Sequence, residues 1–558
     1  MLPFISRRYS SSSVFICHLN GYTFSYLISN NATSQMKKFA FISAFLCSLL
    51  FCSATLADKA NNTLDYASTK DIRDINPHLY SGEMAAQNMV FEPLVINTQH
   101  GVEPWLARSW RISPDGKTYT FTLRDDVRFS DGEPFNAQAV KLNIDAILAN
   151  SARHAWLELV RQIDSVEVVD DHTVQLHLKN AYYPTLTELG LTRPFRFISP
   201  KAFIDGKTLN GVQRYAGTGP WVLTEHKKNQ YARFDARPDY WGTPPKLKSV
   251  IWNVIPDRQT LLLSLQKGDI QLIFGADGDM INMDTFEALQ ASNQLQTLMS
   301  DPVASRAVVL NSSRPELGDR RVRQALQYAV DKTGIAEGIL DGSESVADTL
   351  MAKNVPYSKV EVPVYHYDPQ KARELLDAAG WLTVPGSPVR EKAGKPLALL
   401  FSYNVNNSAE KDIAELIQDD FKKVGVKMTL LGEEKQAYLD RQKSGDFDLQ
   451  YSLSWGTPYD PASFVSSFRI PAHADYQGQK GLKSKPEIDA MIGELLITPD
   501  ENRRQQLYTQ LFTLLANEAV YIPLTYSRTK ALYSKDLHHV GFNPSQYEIP
   551  FEKMSFSH

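Results

Sequence analysis

A chain of 558 residues, 43% of them hydrophobic and 22% charged, carries enough apolar side chain for more than one core, on the order of two to four folding units. Its 29 glycines and 30 prolines are spread along the sequence, which excludes a collagenous or low-complexity protein. A net charge of −4 argues against nucleic acid and against an anionic membrane surface as partners.

The first predicted element is an export signal. From Met36 the sequence reads Met-Lys-Lys, then an apolar run of 13 residues from Phe39 to Phe51, then Cys-Ser-Ala-Thr-Leu-Ala. Positive charge, a short apolar core and small residues at Thr55 and Ala57 predict a secretory signal from Met36 cleaved after Ala57. The apolar run falls short of the roughly 20 residues a bilayer span takes. Residues 1–35 are read as lying upstream of the true start, and the large residues before Cys47 and Cys52 speak against a lipid anchor. Cleavage removes Arg7, Arg8, Lys37 and Lys38 and no acid, leaving 55 basic against 63 acidic side chains on 501 residues, net −8. All 3 cysteines (Cys17, Cys47, Cys52) leave with it, and with them any disulfide, thiolate metal site or thiol nucleophile. The expected product is soluble and periplasmic.

Strand and helix signals then alternate. Tyr119 to Leu123 alternates as a strand, and Ala137 to Asn150 carries a helical stripe of Val140, Ile144 and Ile147. Val166 to Val169 and Thr173 to Leu178 flank Asp170-Asp171 and predict a hairpin. Asp368 and Pro369 stand as N-cap and first turn of a helix ending at Gly380. Further on, Pro396 to Tyr403 reads as a strand, Ala409 to Val424 as a helix, Gly425 as its left-handed cap and Val426 to Leu431 as the next strand. That is a βαβ unit with parallel strands. The fold class is α/β with a few hairpins, and no low-complexity linker marks a domain boundary.

Enzyme motifs are missing: there is no Gly-x-Ser-x-Gly elbow, no Walker A loop and no His-Glu-x-x-His. Gly217-Thr218-Gly219 is followed by Pro220, which removes an N–H that a phosphate cradle needs, so it reads as a turn before the strand Trp221 to Thr224. Of the 12 histidines only His18 precedes residue 58, and the others do not stand at the spacings of an all-protein metal cage. His538-His539 reads as solvated surface. More telling are three clusters, Arg153-His154-Ala155-Trp156, Arg193-Pro194-Phe195-Arg196-Phe197 and Trp455-Gly456-Thr457-Pro458-Tyr459-Asp460-Pro461. Each alone reads as packing. Arginine beside aromatic rings suits planar carboxylates, because the guanidinium binds them bidentately and stacks on rings.

The stretch Leu106 to Phe135, with Ser113-Pro-Asp-Gly-Lys117 and Phe129-Ser-Asp-Gly-Glu-Pro-Phe135 inside it, resembles the most recognisable stretch of the peptide/nickel solute-binding family of ABC importers. Tyr215-Ala-Gly-Thr-Gly-Pro220 and Arg321-Val-Arg-Gln-Ala-Leu-Gln-Tyr-Ala-Val-Asp-Lys332 extend the likeness, which runs from about Asn76 to Phe551. Asn76-Pro-His-Leu-Tyr80, Ala181-Tyr-Tyr-Pro184, Pro471-Ala-His-Ala-Asp475 and the three clusters are similar to the family's nickel-binding branch.

The resemblance implies two lobes around a buried cleft: residues 58–303 completed by 527–558, and residues 304–526, with hinge crossings near 303 and 526. It implies a nickel ion that arrives chelated by free histidines or another small organic chelator and is passed to inner-membrane ABC permease subunits with their ATPases. No enzyme activity and no nucleic-acid partner are implied, and a monomer is expected. His473 would be the direct metal ligand. Arg153 and Arg193 would hold chelator carboxylates, and Trp156, Trp455, Tyr459, Tyr80 and Met84 would wall the pocket. Ni(II) takes imidazole and carboxylate readily, and His473 must be neutral to ligate, so capture is expected to weaken as pH falls. The rival within the family is an oligopeptide or dipeptide binder. Peptide-binding members commonly place an acid just after the tryptophan equivalent to Trp455, where this chain has none until Asp460. A secreted hydrolase, lacking a nucleophile–base pair by motif, ranks below both.

Overall fold

The computed structural model describes Ser6–Tyr9, Ser12–Leu19, Tyr22–Ser29 and residues 62–275, 281, 283–405 and 407–557. The predicted signal from Met36 to Ala57 lies outside the described residues, as do Cys47 and Cys52. Contacts divide the chain into two units, Met1–Thr63 and Leu64–His558. In the first, Ser6–Tyr9, Ser12–Leu19 and Tyr22–Ser29 pair antiparallel, with Arg7 opposite Val14 and Phe15 opposite Tyr26.

The second unit is mixed α/β, and its short-range signals are realised as local structure. Thr118–Leu123 is a strand of a four-stranded antiparallel sheet that contains the bulged hairpin Ile163–Asp170 and Thr173–Leu178. Ala137–Ala149 is helical, opened by Asn136, whose side chain accepts from the Ala139 N–H. Asp368 likewise accepts from Lys371 N–H, with Pro369 in the first turn of Pro369–Ala378.

Two larger sheets organise the rest. A seven-stranded sheet runs in the order Trp221–Lys227, Tyr231–Ala236, Ser249–Val254, Thr63–Ser68, Leu272–Gly275, Lys530–Tyr533 and Gln296–Met299. A six-stranded sheet runs Ser345–Val346, Tyr521–Ser527, Ala304–Leu310, Leu449–Leu453, Ala398–Asn404 and Lys427–Glu433. The chain leaves the first sheet for the second after Met299 and returns between Ser527 and Lys530. The largest apolar core includes Phe121, Phe135 and Phe197 from the region of the four-stranded sheet. It also includes Phe464, Phe468, Ile492 and Leu511 from the helices around the six-stranded one.

The βαβ unit is present as strand Ala398–Asn404, helix Ser408–Lys423 and parallel strand Lys427–Glu433, with Phe401 opposite Leu430. Gly425 has φ +82°, and a Cβ there would stand 2.8 Å from Arg390 Cγ. Arg390 cannot yield freely, because its Nε donates to the Val424 carbonyl and its Nη1 to the Trp381 carbonyl, each at 2.8 Å. Gly425→Ala is therefore expected to lower stability by about 1–2 kcal/mol, the scale of a left-handed non-glycine residue, as measured by urea unfolding.

Candidate functional site

Tyr80 ends a segment pinned from behind. The Asn76 side chain donates to the Thr208 carbonyl at 3.0 Å and accepts from His78 N–H at 2.9 Å. The buried His78 ring lies 2.9 Å from Thr208 Oγ1 and 3.0 Å from the Arg196 carbonyl oxygen. Two residues past Tyr80, a Cβ on Gly82 would fall 2.2 Å from the Asp74 carbonyl oxygen, so only glycine closes this turn. Met84 then opens the helix Met84–Val90.

Arg153 to Trp156 form a turn after the helix Ala137–Ala149. His154 is buried, with Nδ1 2.5 Å from the Tyr80 hydroxyl, and Trp156 Nε1 donates to the same hydroxyl at 2.6 Å. Arg153 is exposed; its backbone N–H donates to the Asn150 carbonyl at 3.0 Å, and its side chain makes no hydrogen bond or ion pair among the described residues.

Arg193 and Arg196 divide in role. Arg196, 3% exposed, donates to the carbonyls of Leu191, Phe91 and Gly190 and to the Glu548 carboxylate. Arg193 is half-buried with its Cζ 4.9 Å from the centre of the Tyr80 ring. Its side-chain hydrogen bond is a long one, 3.4 Å, to the Gly82 carbonyl, and among the described residues no carboxylate pairs with it. Burial pulls its pKa below the ordinary arginine value. The Arg193–Pro194 bond is cis.

Past the strand Leu449–Leu453, the Trp455 loop is tied to the crossing strand by Ser454 N–H to the Ser305 carbonyl at 2.9 Å and Thr457 N–H to the Val303 carbonyl at 3.1 Å. Asp460 turns back into this loop, accepting from Gly456 N–H at 3.1 Å; it is buried, which raises its carboxyl to about 6. The Trp455 ring lies 5.6 Å from Trp156, 6.3 Å from Tyr459 and 6.0 Å from His473. Tyr459 is also 6.4 Å from Trp156 and 6.2 Å from Tyr547.

His473 is half-buried at the N-terminus of the helix Ala474–Gln479, and neither ring nitrogen has a hydrogen-bond partner among the described residues. Burial lowers its pKa, against the opposing charge of Asp475, so the ring is neutral at pH 7 with a lone pair free to ligate. Among the described residues, no three His, Cys, Asp or Glu side chains come together as a metal cage.

Tyr80, Trp156, Arg193, Trp455, Tyr459 and His473 thus form one chain of contacts. Arg153 and Met84 adjoin it in sequence but make no hydrogen bond, ion pair or ring contact with it among the described residues. Sequence reasoning gave no role to His154, although it lies inside the Arg153–Trp156 cluster. It also missed Tyr547, which no local pattern marks. A third omission is Glu188, fully buried, which accepts from Leu159 N–H at 3.0 Å, Tyr182 hydroxyl at 2.6 Å and Ser463 hydroxyl at 3.0 Å. That last bond joins the helix Thr185–Leu189 to the helix Ala462–Ser467, which follows the Trp455 loop.

Residues 101–476 match the family described as bacterial extracellular solute-binding proteins, family 5. The chain belongs to this family. It is 44% identical over 512 residues to the nickel-binding periplasmic protein of Escherichia coli, covering 91% of this chain and 98% of that one. Among solved structures it is similar to NikA from Brucella suis in complex with Fe(III)-EDTA, with a TM-score of 0.86 and 45% identity over 89% of this chain and 100% of that chain. It is also similar to NikZ from Campylobacter jejuni in complex with Ni(L-His), with a TM-score of 0.71 and 26% identity over 89% of this chain and 99% of that chain. Peptide-binding proteins are among its relatives as well. The mixed sheets are those of a two-lobed family 5 solute-binding protein, and members of this family are binding proteins.

In this family 5 protein Glu188 makes a pH-dependent contribution to stability. Burial raises its carboxyl to about 7, above its ordinary 4.5, so the folded state holds the proton more tightly than the unfolded one. Its stabilisation is present in full below about pH 4.5 and is lost as pH rises through about 7. Urea unfolding at pH 5 and pH 7.5 should show Glu188→Gln gaining on the wild type at the higher pH, by up to about 3 kcal/mol.

Proposed function

We propose that this chain is a periplasmic solute-binding protein that captures nickel as a small-molecule chelate and delivers it to an ABC-type import permease. The observation that carries the reading is the contact chain itself. Among the described residues it offers one neutral imidazole without a hydrogen-bond partner, one guanidinium without a paired carboxylate and a wall of four aromatic rings. Such a pocket completes a coordination sphere that the cargo brings with it. A nickel complex of free histidines or another small organic chelator supplies most donors, His473 adds an imidazole, and Arg193 with Arg153 pairs chelator carboxylates. Trp156, Trp455, Tyr459, Tyr80 and Met84 wall the complex. Likeness to the Escherichia coli nickel-binding protein over most of both chains supports this cargo.

In this reading the lobes are residues 58–303 with 527–558, and residues 304–526. The paired crossings after Met299 and after Ser527 act as the hinge. Ligand touching Arg193 and Trp156 on one side and Trp455 and His473 on the other favours the closed form through contacts only that form makes. Export by the segment from Met36 to Ala57 puts the protein in the periplasm, where it acts as a monomer and its closed form docks on the permease.

A peptide cargo is the second reading, and Asp460 weighs against it. The first acid after Trp455 is buried and accepts from the loop's own backbone, where a peptide's ammonium group would need a free carboxylate.

Titration calorimetry of the mature protein should register binding of nickel with L-histidine and none of a dipeptide pool; the reverse result defeats the proposal. Arg193→Ala is expected to weaken chelate binding by about 1.5–3 kcal/mol, the scale of a charged hydrogen bond. For His473, nickel presented with citrate, which has no imidazole, should show imidazole scattering at the nickel K-edge that His473→Ala abolishes.

A further inference from the structure

We propose that His154 is a positioning residue for chelate recognition: by accepting the Tyr80 hydroxyl proton at Nδ1 it fixes the Tyr80 ring as the platform on which the Arg193 guanidinium rests. The inference builds on the chelate reading and concerns the same site.

Proton counting fixes the direction of the hydrogen bonds. An indole Nε1 only donates, so at 2.6 Å the Tyr80 oxygen accepts from Trp156. The phenol has one proton left to give, and the His154 Nδ1 at 2.5 Å receives it. His154 is therefore the Nε2–H tautomer. Its Nε2 is buried and has no partner among the described residues. Burying an N–H unpaired is unfavourable, and leucine or phenylalanine would fill this 0%-exposed position without that penalty. A histidine here is explained by what its other nitrogen does. Burial and the charge of Arg153 lower its pKa to about 4, which keeps Nδ1 an acceptor at neutral pH.

The consequence lies at Tyr80. Held by Trp156 and His154, with ring centres 6.0 Å and 5.3 Å away, the phenol spends its proton inward and presents no O–H to an incoming anion. What it presents is its face, with the Arg193 Cζ 4.9 Å from the ring centre. Anion recognition is thereby left to guanidinium groups, and His154 acts on the cargo through Tyr80 and then Arg193.

The test is a double-mutant cycle read as affinity for nickel with L-histidine, with circular dichroism and thermal melting of each full-length mature variant as the folding control. His154→Leu and Tyr80→Phe should each weaken binding about tenfold, the scale of one buried hydrogen bond. The double variant should be no weaker than Tyr80→Phe. His154→Asn, whose Oδ1 reaches the place of Nδ1 and accepts, should recover most of the loss. Equal losses from His154→Leu with and without the Tyr80 hydroxyl, or from Asn and Leu alike, would overturn the inference and leave His154 a packing residue. If His154→Leu does not fold, Tyr80→Phe and His154→Asn decide: wild-type affinity in the former overturns it. A wild-type protein that ignores the nickel complex removes the chelate reading itself, a result distinct from wild-type binding that His154 does not affect.

Discussion

A guanidinium drawn half out of water with no carboxylate paired to it among the described residues is costly to keep, and the site is organised around holding Arg193 that way. Its neighbour Arg196 is the usual solution, buried but saturated by three carbonyls and Glu548. Arg193 receives a ring face and one long contact to a carbonyl instead. The difference is charge kept available. A cation already paired would have to surrender its partner to bind an anion, whereas in the proposed reading this one gains when the anion arrives. The Gly82 turn, the pinned Asn76–Tyr80 segment and the Trp156 indole all serve to keep the Tyr80 ring in position beneath it.

In the proposed reading the same economy governs the metal side. A cage of protein ligands would hold bare divalent ions in the order of their intrinsic affinities, with copper outranking nickel. One neutral imidazole beside a tryptophan cannot do that. In the proposed reading, discrimination falls to the outline and charge of the complex that enters, which the rings and guanidinium groups gauge by fit.

What the sequence makes legible and what it hides follow from distance along the chain. The Asp368 cap, the Asp170-Asp171 turn and the strand–helix–Gly425–strand run are settled within a few residues, and each was readable. The sheet orders were not, because Thr63–Ser68 pairs with Leu272–Gly275 across some two hundred residues and nothing local announces it. The antiparallel sheet at Ser6–Ser29 falls in a stretch read as preceding the true start. Within the site, the residue types were readable because arginine–aromatic clusters and a family resemblance mark them. Which arginine is spent and which is free was not legible in the local pattern, and only the resemblance singled out Arg193, since Arg193 and Arg196 differ only in partners supplied by Phe91, Glu548 and Tyr80. The roles of His154, Tyr547 and Glu188 belong to the same class: each is defined by a side chain far away in sequence.

The ring cluster draws on Tyr80, Trp156, Trp455 and His473, so its members meet only after most of the chain has been threaded into place. Closing such long loops is paid for in chain entropy before any contact at the site repays it, which makes the pocket a late product of folding. In the proposed reading, a fragment that lacks any of these segments does not present the whole binding surface. Occupancy therefore reports completed folding, and a partly folded molecule does not compete for cargo with its folded siblings.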